Sequence, residues 1–323
     1  MKMKNIAVLC SGGDSPGMNP AIRAVIRTGL GNGLKVYGIH RGFDGLIHSK
    51  FKEMDLSSVG NIIQRGGTIL GSSRCPEFHE KEFRQQAAKI LKSKKIDGLV
   101  IIGGNGSFNG AMALWKEHKI PVVGIPGTID NDVSGTDYTI GFDTASQTAV
   151  EAVDKIRDTA LSHERTFLVE VMGRKSASLA LNVAICSGAE NVIVSSKYDL
   201  DEIVKRNKLG RKRGKKSSII IVAESDTPGL SYKIQEELLL GHDIKAGVCI
   251  LGHIQRGGTP TVYDRVVATK MGHLAVQSLI DANFPSATVL KNGTVGVGPL
   301  EKCLKNRKAS FKEKLDIIKA LSI

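Results

Sequence analysis

Short apolar runs bounded by glycine recur along the chain at fairly even spacing: NIAVLC (5–10), KVYGIH (35–40), GLVIIGG (98–104), PVVGIPG (121–127), FLVEVMG (167–173), NVIVSS (191–196), SIIIVAES (218–225) and GVCILGH (247–253). These are predicted strands. Between them lie AIRAVIRTGL, FRQQAAKILKSKK, GAMALWKEHK, ASQTAVEAVDKIRDTAL, ASLALNVAICSG and YKIQEELLLG, whose apolar positions follow a helical period rather than alternation. Strand, loop and helix repeated in this order predict an α/β fold with largely parallel sheets. In open sheets of that kind ligands bind beyond the carboxyl ends of the strands. The glycines and polar residues of this chain collect at those ends.

Length and composition sharpen the picture only slightly. The 323 residues suffice for one large domain or two medium ones, each with its own core. No apolar run approaches the roughly 18 residues of a spanning helix, and MKMKNIAVLC reaches a glycine loop too soon for a signal peptide. Cys10, Cys75, Cys186, Cys249 and Cys303 are scattered without metal-ligand spacing, the pattern of reduced thiols in a cytoplasmic protein. The net charge of +13 fits either a nucleic-acid binder or a protein that handles anionic small molecules. Eight of the twelve residues in KRNKLGRKRGKK (205–216) are Lys or Arg, which a solvated loop or helix face explains equally well. No zinc finger, aromatic-rich sheet motif or recognition helix accompanies that run, so neither nucleic acid nor membrane is an expected partner.

The chemistry lies in the loops. SGGDSPGMNPAIR (11–23) is a glycine turn leading into a helix near Asn19 and Pro20, either an anion cradle or a tight strand-to-helix turn. RGGTILGSSR (65–74) is a second glycine loop, ending in an arginine able to meet phosphate. GGNGS (103–107) is a third, with Asn105 where a metal-nucleotide site would favour a carboxylate. That leaves three alternatives: a site that has lost a metal ligand, one that manages without it, or no nucleotide site. PGTIDNDV (126–133) sets Asp130 and Asp132 two residues apart, either to divide roles, one near a metal and one deprotonating a hydroxyl, or as turn or helix-capping aspartates, a reading that explains one more easily than both. HERTFLVEVMGR adds Arg165 and Arg174, and LGHIQRGGTP adds His253 and Arg256. Together these groups point to phosphoryl transfer between two phosphorylated small molecules.

SGGDSPGMN, RGGT.LGSSR, PGTIDND, GTDYTIGFDTA, VEVMGR and LGHIQRGG.P..YDR stand in the order found in bacterial-type ATP-dependent 6-phosphofructokinases, and the chain resembles that family from residue 5 to about residue 285. The resemblance implies two Rossmann-like α/β domains with the active site in the cleft between them. The larger, ATP-binding domain would comprise residues 1–140 with about 258–305, and the smaller, fructose-6-phosphate-binding domain 141–257 with about 306–323. It further implies a cytoplasmic homotetramer that needs Mg²⁺. Asp130 would be the base for the sugar's 1-hydroxyl, with Thr128, Asp132 and Arg174 in support. ATP would meet Gly13, Arg74, Cys75, Gly104, Asn105, Gly106 and Ser107. Fructose 6-phosphate would meet Thr128, Ile129, Asp130, Met172, Gly173, Arg174, Glu224, His253, Ile254, Gln255 and Arg256, with Arg165 reaching in from a neighbouring subunit. The metal would fall to Asp132 and, in place of the usual aspartate, Asn105.

Three positions depart from the family pattern: Asn105 itself, Gly247 where an arginine commonly binds the sugar phosphate, and Cys75 where the family is often aromatic. Gly106 and Gly127 match ATP users, since pyrophosphate-using relatives typically carry Asp and Lys there. Arg23, Arg27, Arg157, Glu190, Arg213 and Lys215 match an allosteric site for ADP or phosphoenolpyruvate, while Leu56 replaces an arginine usual in it. The alternative reading is a weakly active or non-catalytic regulatory paralogue that binds nucleotide.

Overall fold

The computed structural model describes residues 3–173, 176–225, 228–305 and 311–322, and the chain divides into two compact units. The first, residues 1–144 with 256–307, opens with β1 (Asn5–Ser11), α1 (Met18–Gly31), β2 (Lys35–Ile39), α2 (Gly42–Ile47) and β3 (Phe51–Met54). It continues with α3 (Lys81–Ser93), β4 (Gly98–Gly103), α4 (Asn105–His118) and β5 (Val122–Pro126). Helix α5 (Phe142–Ser162) leads into the second unit, residues 145–255 with 308–323. That unit holds β6 (Thr166–Val171), α6 (Ser178–Ser187), β7 (Asn191–Ile193), α7 (Leu200–Lys212), β8 (Ser218–Ala223), α8 (Leu230–His242) and β9 (Ala246–Ile250). The chain then returns to the first unit with α9 (Val262–Ile280), β10 (Ser286–Lys291), β11 (Thr294–Pro299) and α10 (Leu300–Cys303), and α11 (Lys312–Leu321) belongs to the second.

The first sheet has the order β11-β10-β5-β4-β1-β2-β3, with parallel pairs throughout except the antiparallel edges β2–β3 and β10–β11. Its central strands are apolar without alternation because both faces are covered. Ala7, Leu9, Leu99 and Ile101 join a core with Phe43, Leu46, Leu91 and Phe108 from the helices. On the other face α1 packs on α9 closely enough that a Cβ at Gly272 would lie 2.6 Å from the Ala21 carbonyl oxygen. The second sheet is all parallel, in the order β7-β8-β6-β9. Leu168, Ile193, Ile220 and Val222 pack there against Ile203 and Val204 of α7 and Ile234 and Leu238 of α8.

Each predicted strand and helix appears, although the run at 191–196 pairs only over Asn191–Ile193. Several elements carried weaker signals. The hairpin β10–β11 turns on Asn292 and Gly293, both at positive φ (49° and 76°), the pair that a two-residue turn demands. Helix α9 is capped by Thr261, whose hydroxyl accepts from the Asp264 N–H. The basic run 205–216 proves to be the latter half of α7 and the turn after it, with Arg206 paired to Glu202, Lys215 to Glu190 and Lys216 to Glu164.

Candidate active site

Strand order in the first sheet reverses between the parallel neighbours β1 and β4: β1 continues to β2 on one side, and β4 to β5 on the other. Loops leaving two such strands diverge and open a crevice at their carboxyl ends. Two helices start there without side-chain caps or acidic residues in their first turns: α1 after Gly17 (φ 100°) and α4 after Gly104. Their first N–H groups have no intrahelical acceptor, and the helix dipole adds partial positive charge. Both features suit phosphate.

The glycines of these loops serve different ends. A Cβ at Gly103 would lie 2.5 Å from the Ser11 oxygen and closer still to Ser107 Oγ, so packing demands glycine. The buried Ser107 hydroxyl is itself engaged, donating to Ser11 O at 2.9 Å. At Gly106 a Cβ would meet nothing within 4 Å. No neighbour in this chain requires glycine there. Gly127 is the opposite case: a Cβ there would lie 3.1 Å from Ile102 and 3.3 Å from Met18. Gly13 lies beneath Arg256, whose Nη1 is 3.3 Å from where its Cβ would stand and 4.0 Å from Asp14. Arg74 is exposed, on a loop clasped by Asn19: the Asn19 Nδ2 donates to Arg65 O (3.0 Å) and Gly66 O (3.1 Å), and its Oδ1 accepts from Ile69 N (2.8 Å). Cys75 packs against the core, and burial pushes its thiol up to about 11.

After β5 comes the aspartate pair. Thr128 N donates to Ile140 O at 3.1 Å, and Thr139 Oγ1 donates to Thr128 O at 2.6 Å. Ile129 is buried, while Asp130 and Asp132 are half-buried. Asn131 between them takes a left-handed conformation (φ 47°), which asparagine tolerates better than most residues. Asn105 Nδ2 donates to Asp132 Oδ2 at 2.9 Å. Only the NH₂ end of the amide can face a carboxylate, so Asn105 orients Asp132 through its nitrogen. The sequence left the role of Asn105 open, and the structure makes it a partner of the aspartate pair.

In the second unit, the carboxyl ends of β6, β8 and β9 lie side by side and carry Met172, Gly173, Glu224, His253 and Ile254. Gly173 has φ 142°, and a Cβ there would lie 2.6 Å from Ser176 O. His253 and Ile254 are exposed; Gln255 is fully buried, and its Oε1 accepts from Met172 N at 2.8 Å. Gln255 therefore supports the Met172 turn from inside. Arg174 lies outside the described residues. Arg165 precedes β6 and so stands at the amino end of the strand that carries Met172 at its carboxyl end, about 20 Å away at 3.3 Å per residue. Within one chain the fold does not bring it to the others. Gly247 pairs with Phe167, and a Cβ at 247 would lie 2.5 Å from that ring. The Phe167 ring thus excludes a side chain at that position, and Lys245 is exposed nearby.

Of the six residues matched to an effector site, Arg23 and Arg27 sit one turn apart on α1. In the second unit Arg157 Nη2 donates to Ser187 O at 2.6 Å and Nη1 lies 3.9 Å from Glu190, which also pairs with Lys215. Arg213 is exposed at the end of α7.

No group of three or more His, Cys, Asp or Glu converges on a metal-sized point among the described residues. Magnesium does not need one, since it takes one or two carboxylates and completes its shell with phosphate oxygens and water. The half-buried Asp132 carboxylate beside an uncapped helix start fits that donor set.

The sequence matches the phosphofructokinase family model over residues 5–279. It is 50% identical over 324 residues to the ATP-dependent 6-phosphofructokinase of Staphylococcus carnosus, covering 99% of this chain and 100% of that one. It is 53% identical over 296 residues to the ATP-dependent 6-phosphofructokinase of Lysinibacillus sphaericus, 91% of each chain. Among solved structures, phosphofructokinase from Saccharomyces cerevisiae superposes with a TM-score of 0.86 at 35% identity. That match covers 99% of this chain and 48% of the yeast chain, so the protein spans about half the yeast chain's length. A pyrophosphate-dependent phosphofructokinase from Marinobacter aquaeolei shares the fold with a TM-score of 0.82 at 17% identity, covering 99% of this chain and 91% of that one. The chain belongs to the phosphofructokinase family.

Proposed function

We propose that this chain transfers the γ-phosphoryl group of ATP to the 1-hydroxyl of fructose 6-phosphate, giving fructose 1,6-bisphosphate and ADP, in the cytoplasm as a step of glycolysis. The observation that carries the reading is the meeting of the Thr128–Asp132 loop with the uncapped start of α4, through the bond from Asn105 to Asp132. Asp130 takes the proton of the attacking hydroxyl. The N–H groups at the start of α4, with Gly13, Arg74 and Arg256, bind the phosphates whose charge spreads in the transition state. Met172, Gly173, Arg174, Glu224, His253 and Ile254 bind the sugar. Asp132 would hold magnesium, which neutralises charge on the β- and γ-phosphates when bound. The location of Arg165 and Gly247 at the amino ends of β6 and β9 supports a sugar-phosphate site completed by a neighbouring subunit, in a homotetramer. Arg157, Glu190 and Lys215, which meet in the second unit, and the exposed Arg213 support a site for ADP or phosphoenolpyruvate formed between subunits, to which Arg23 and Arg27 of a neighbouring subunit would contribute. Gly106 favours ATP because an aspartate in that open position would face the nucleotide's phosphates with like charge. A coupled assay with fructose 6-phosphate and either donor tests the reading. ATP is expected to support turnover and pyrophosphate not; equal specificity constants would reject the donor assignment, and no turnover with either would reject the activity.

A further inference from the structure

Asp264 is fully buried in the first turn of α9, and its carboxylate receives four donors from a segment more than a hundred residues away. Oδ1 accepts from Tyr138 OH (2.8 Å) and Gly141 N (2.7 Å); Oδ2 accepts from Thr144 N (2.9 Å) and Thr144 Oγ1 (2.5 Å). Four donors fill the acceptor capacity of one carboxylate. Burial raises this carboxyl above the usual range, and the four donors oppose that rise. Nothing in the phosphoryl-transfer chemistry uses the group directly.

The segment it holds leads straight to the base. Ile140 lies between Tyr138 and Gly141. Its N–H donates to Pro126 O at 2.9 Å, and its carbonyl accepts from Thr128 N at 3.1 Å and Ser15 Oγ at 3.0 Å. Thr139 Oγ1 donates to Thr128 O at 2.6 Å, and Thr128 Oγ1 accepts from Asp130 N at 3.3 Å. Gly141 makes the approach feasible: at φ 102°, a Cβ there would lie 2.5 Å from Ser15 Cβ. From Asp264 to the Asp130 backbone the links are therefore Gly141, Ile140 and Thr128, each joined by a hydrogen bond or a peptide bond.

We propose that Asp264 is a positioning residue for phosphoryl transfer: by holding residues 138–144 it fixes Ile140 against Thr128 and thereby sets the place of the Asp130 carboxylate. The proposal rests on the reading of Asp130 as the base. A carboxylate held at the far end of the relay commits no reacting atom, yet a shift of about 1 Å at the base is enough to cost on the order of 10²-fold in rate.

Asp264→Asn keeps the side chain's size but turns an NH₂ toward two of the four donors, leaving them unpaired. The expected result is a kcat lowered by about 10- to 100-fold with KM for ATP and for fructose 6-phosphate little changed. Backbone amide exchange should accelerate in residues 126–132 and 138–144 and stay unchanged in β2 and α3. Tyr138→Phe removes one donor and should move both readouts in the same direction by less, which keeps the test available if Asp264→Asn folds poorly. Asp97→Asn is the control, since Asp97 accepts from Lys4 N (2.7 Å) and Asn5 N (2.9 Å) before β4, at the amino end of the same sheet. It should lower stability without changing kcat. The proposal fails if exchange at 126–132 is unchanged in Asp264→Asn. It fails equally if exchange accelerates while kcat holds, or if Asp97→Asn loses kcat to the same extent. A wild-type protein without turnover would overturn the reading of Asp130 and this proposal with it, whereas normal wild-type turnover with any of those three outcomes overturns the proposal alone.

Discussion

Asp264 in the first unit and Glu170 in the second are both buried carboxylates that accept several donors from a distant segment, and the segments they hold differ in kind. Glu170 stands in β6 and accepts from Gly229 N (2.7 Å), Ser231 N (2.9 Å) and Ser231 Oγ (2.6 Å), the opening residues of α8. It supplies the negative charge that a helix N-terminus favours. Asp264 stands in a helix and gathers a coil instead. The contrast separates the helix starts of this protein into two kinds. The start of α8 is satisfied by the protein's own carboxylate, and α7 by Asp199, whose side chain accepts from Glu202 N. Those of α1 and α4 carry no acid and no side-chain cap. An anion from outside suits a start where the chain supplies none of its own. Helices α1 and α4 flank the point where strand order reverses in the first sheet, and α6, which likewise begins without acid or side-chain cap, follows Met172 and Gly173 in the second unit.

The largest expected effect breaks the first unit's chemistry alone. Asp130→Ala should reduce turnover by roughly 10²–10⁴-fold, the usual range for loss of a general base, with ATP binding and cooperative unfolding retained. A variant keeping more than about a tenth of its turnover would remove Asp130 from that role. Glu170→Gln comes next and tests the contrast itself. Urea unfolding should show a loss of about 1–3 kcal/mol from donors left facing an NH₂ group, with kcat near that of the wild type. If Glu170→Gln lowers kcat as steeply as Asp264→Asn, the two carboxylates do the same work and the distinction collapses. The smallest effect concerns Asn105. Asn105→Asp would set two carboxylates face to face, about 3 Å apart if nothing moved, where a shared cation is the stable outcome. The magnesium concentration for half-maximal rate should fall, and added magnesium should raise the melting temperature more than in the wild type. Unchanged values of both would mean that Asn105 lies outside the metal's reach.

How far the site could be read beforehand follows from which contacts are local. GGNGS, PGTIDND and LGHIQRGG are contiguous, and each falls just past a strand that the apolar pattern marks, so the loops and their approximate chemistry were legible. The hairpin at Asn292-Gly293 and the Thr261 cap before Asp264 were legible in principle as well, being short-range signals of turn and helix start. Other features had no local trace. Gln255 looks like any loop glutamine, yet it is wholly buried under Met172. Gly247 reads as a lost side chain until Phe167, opposite it on β6, is seen to occupy the space.

By itself the sequence determined the strand and helix order, the parallel character of the sheets and the family, because these rest on periodicity and on motifs a few residues long. Only the tertiary structure decided which glycines answer to packing and which stand in open space, since Gly106 and Gly127 are alike as letters and differ only in what surrounds them. It likewise decided that Asn105 faces Asp132 and that Asp264 holds the segment behind Thr128. Those are hydrogen bonds between residues 27 and 123 positions apart. Such partners are chosen by the folded backbone, which brings each donor to its acceptor, and no pattern along the chain encodes that meeting.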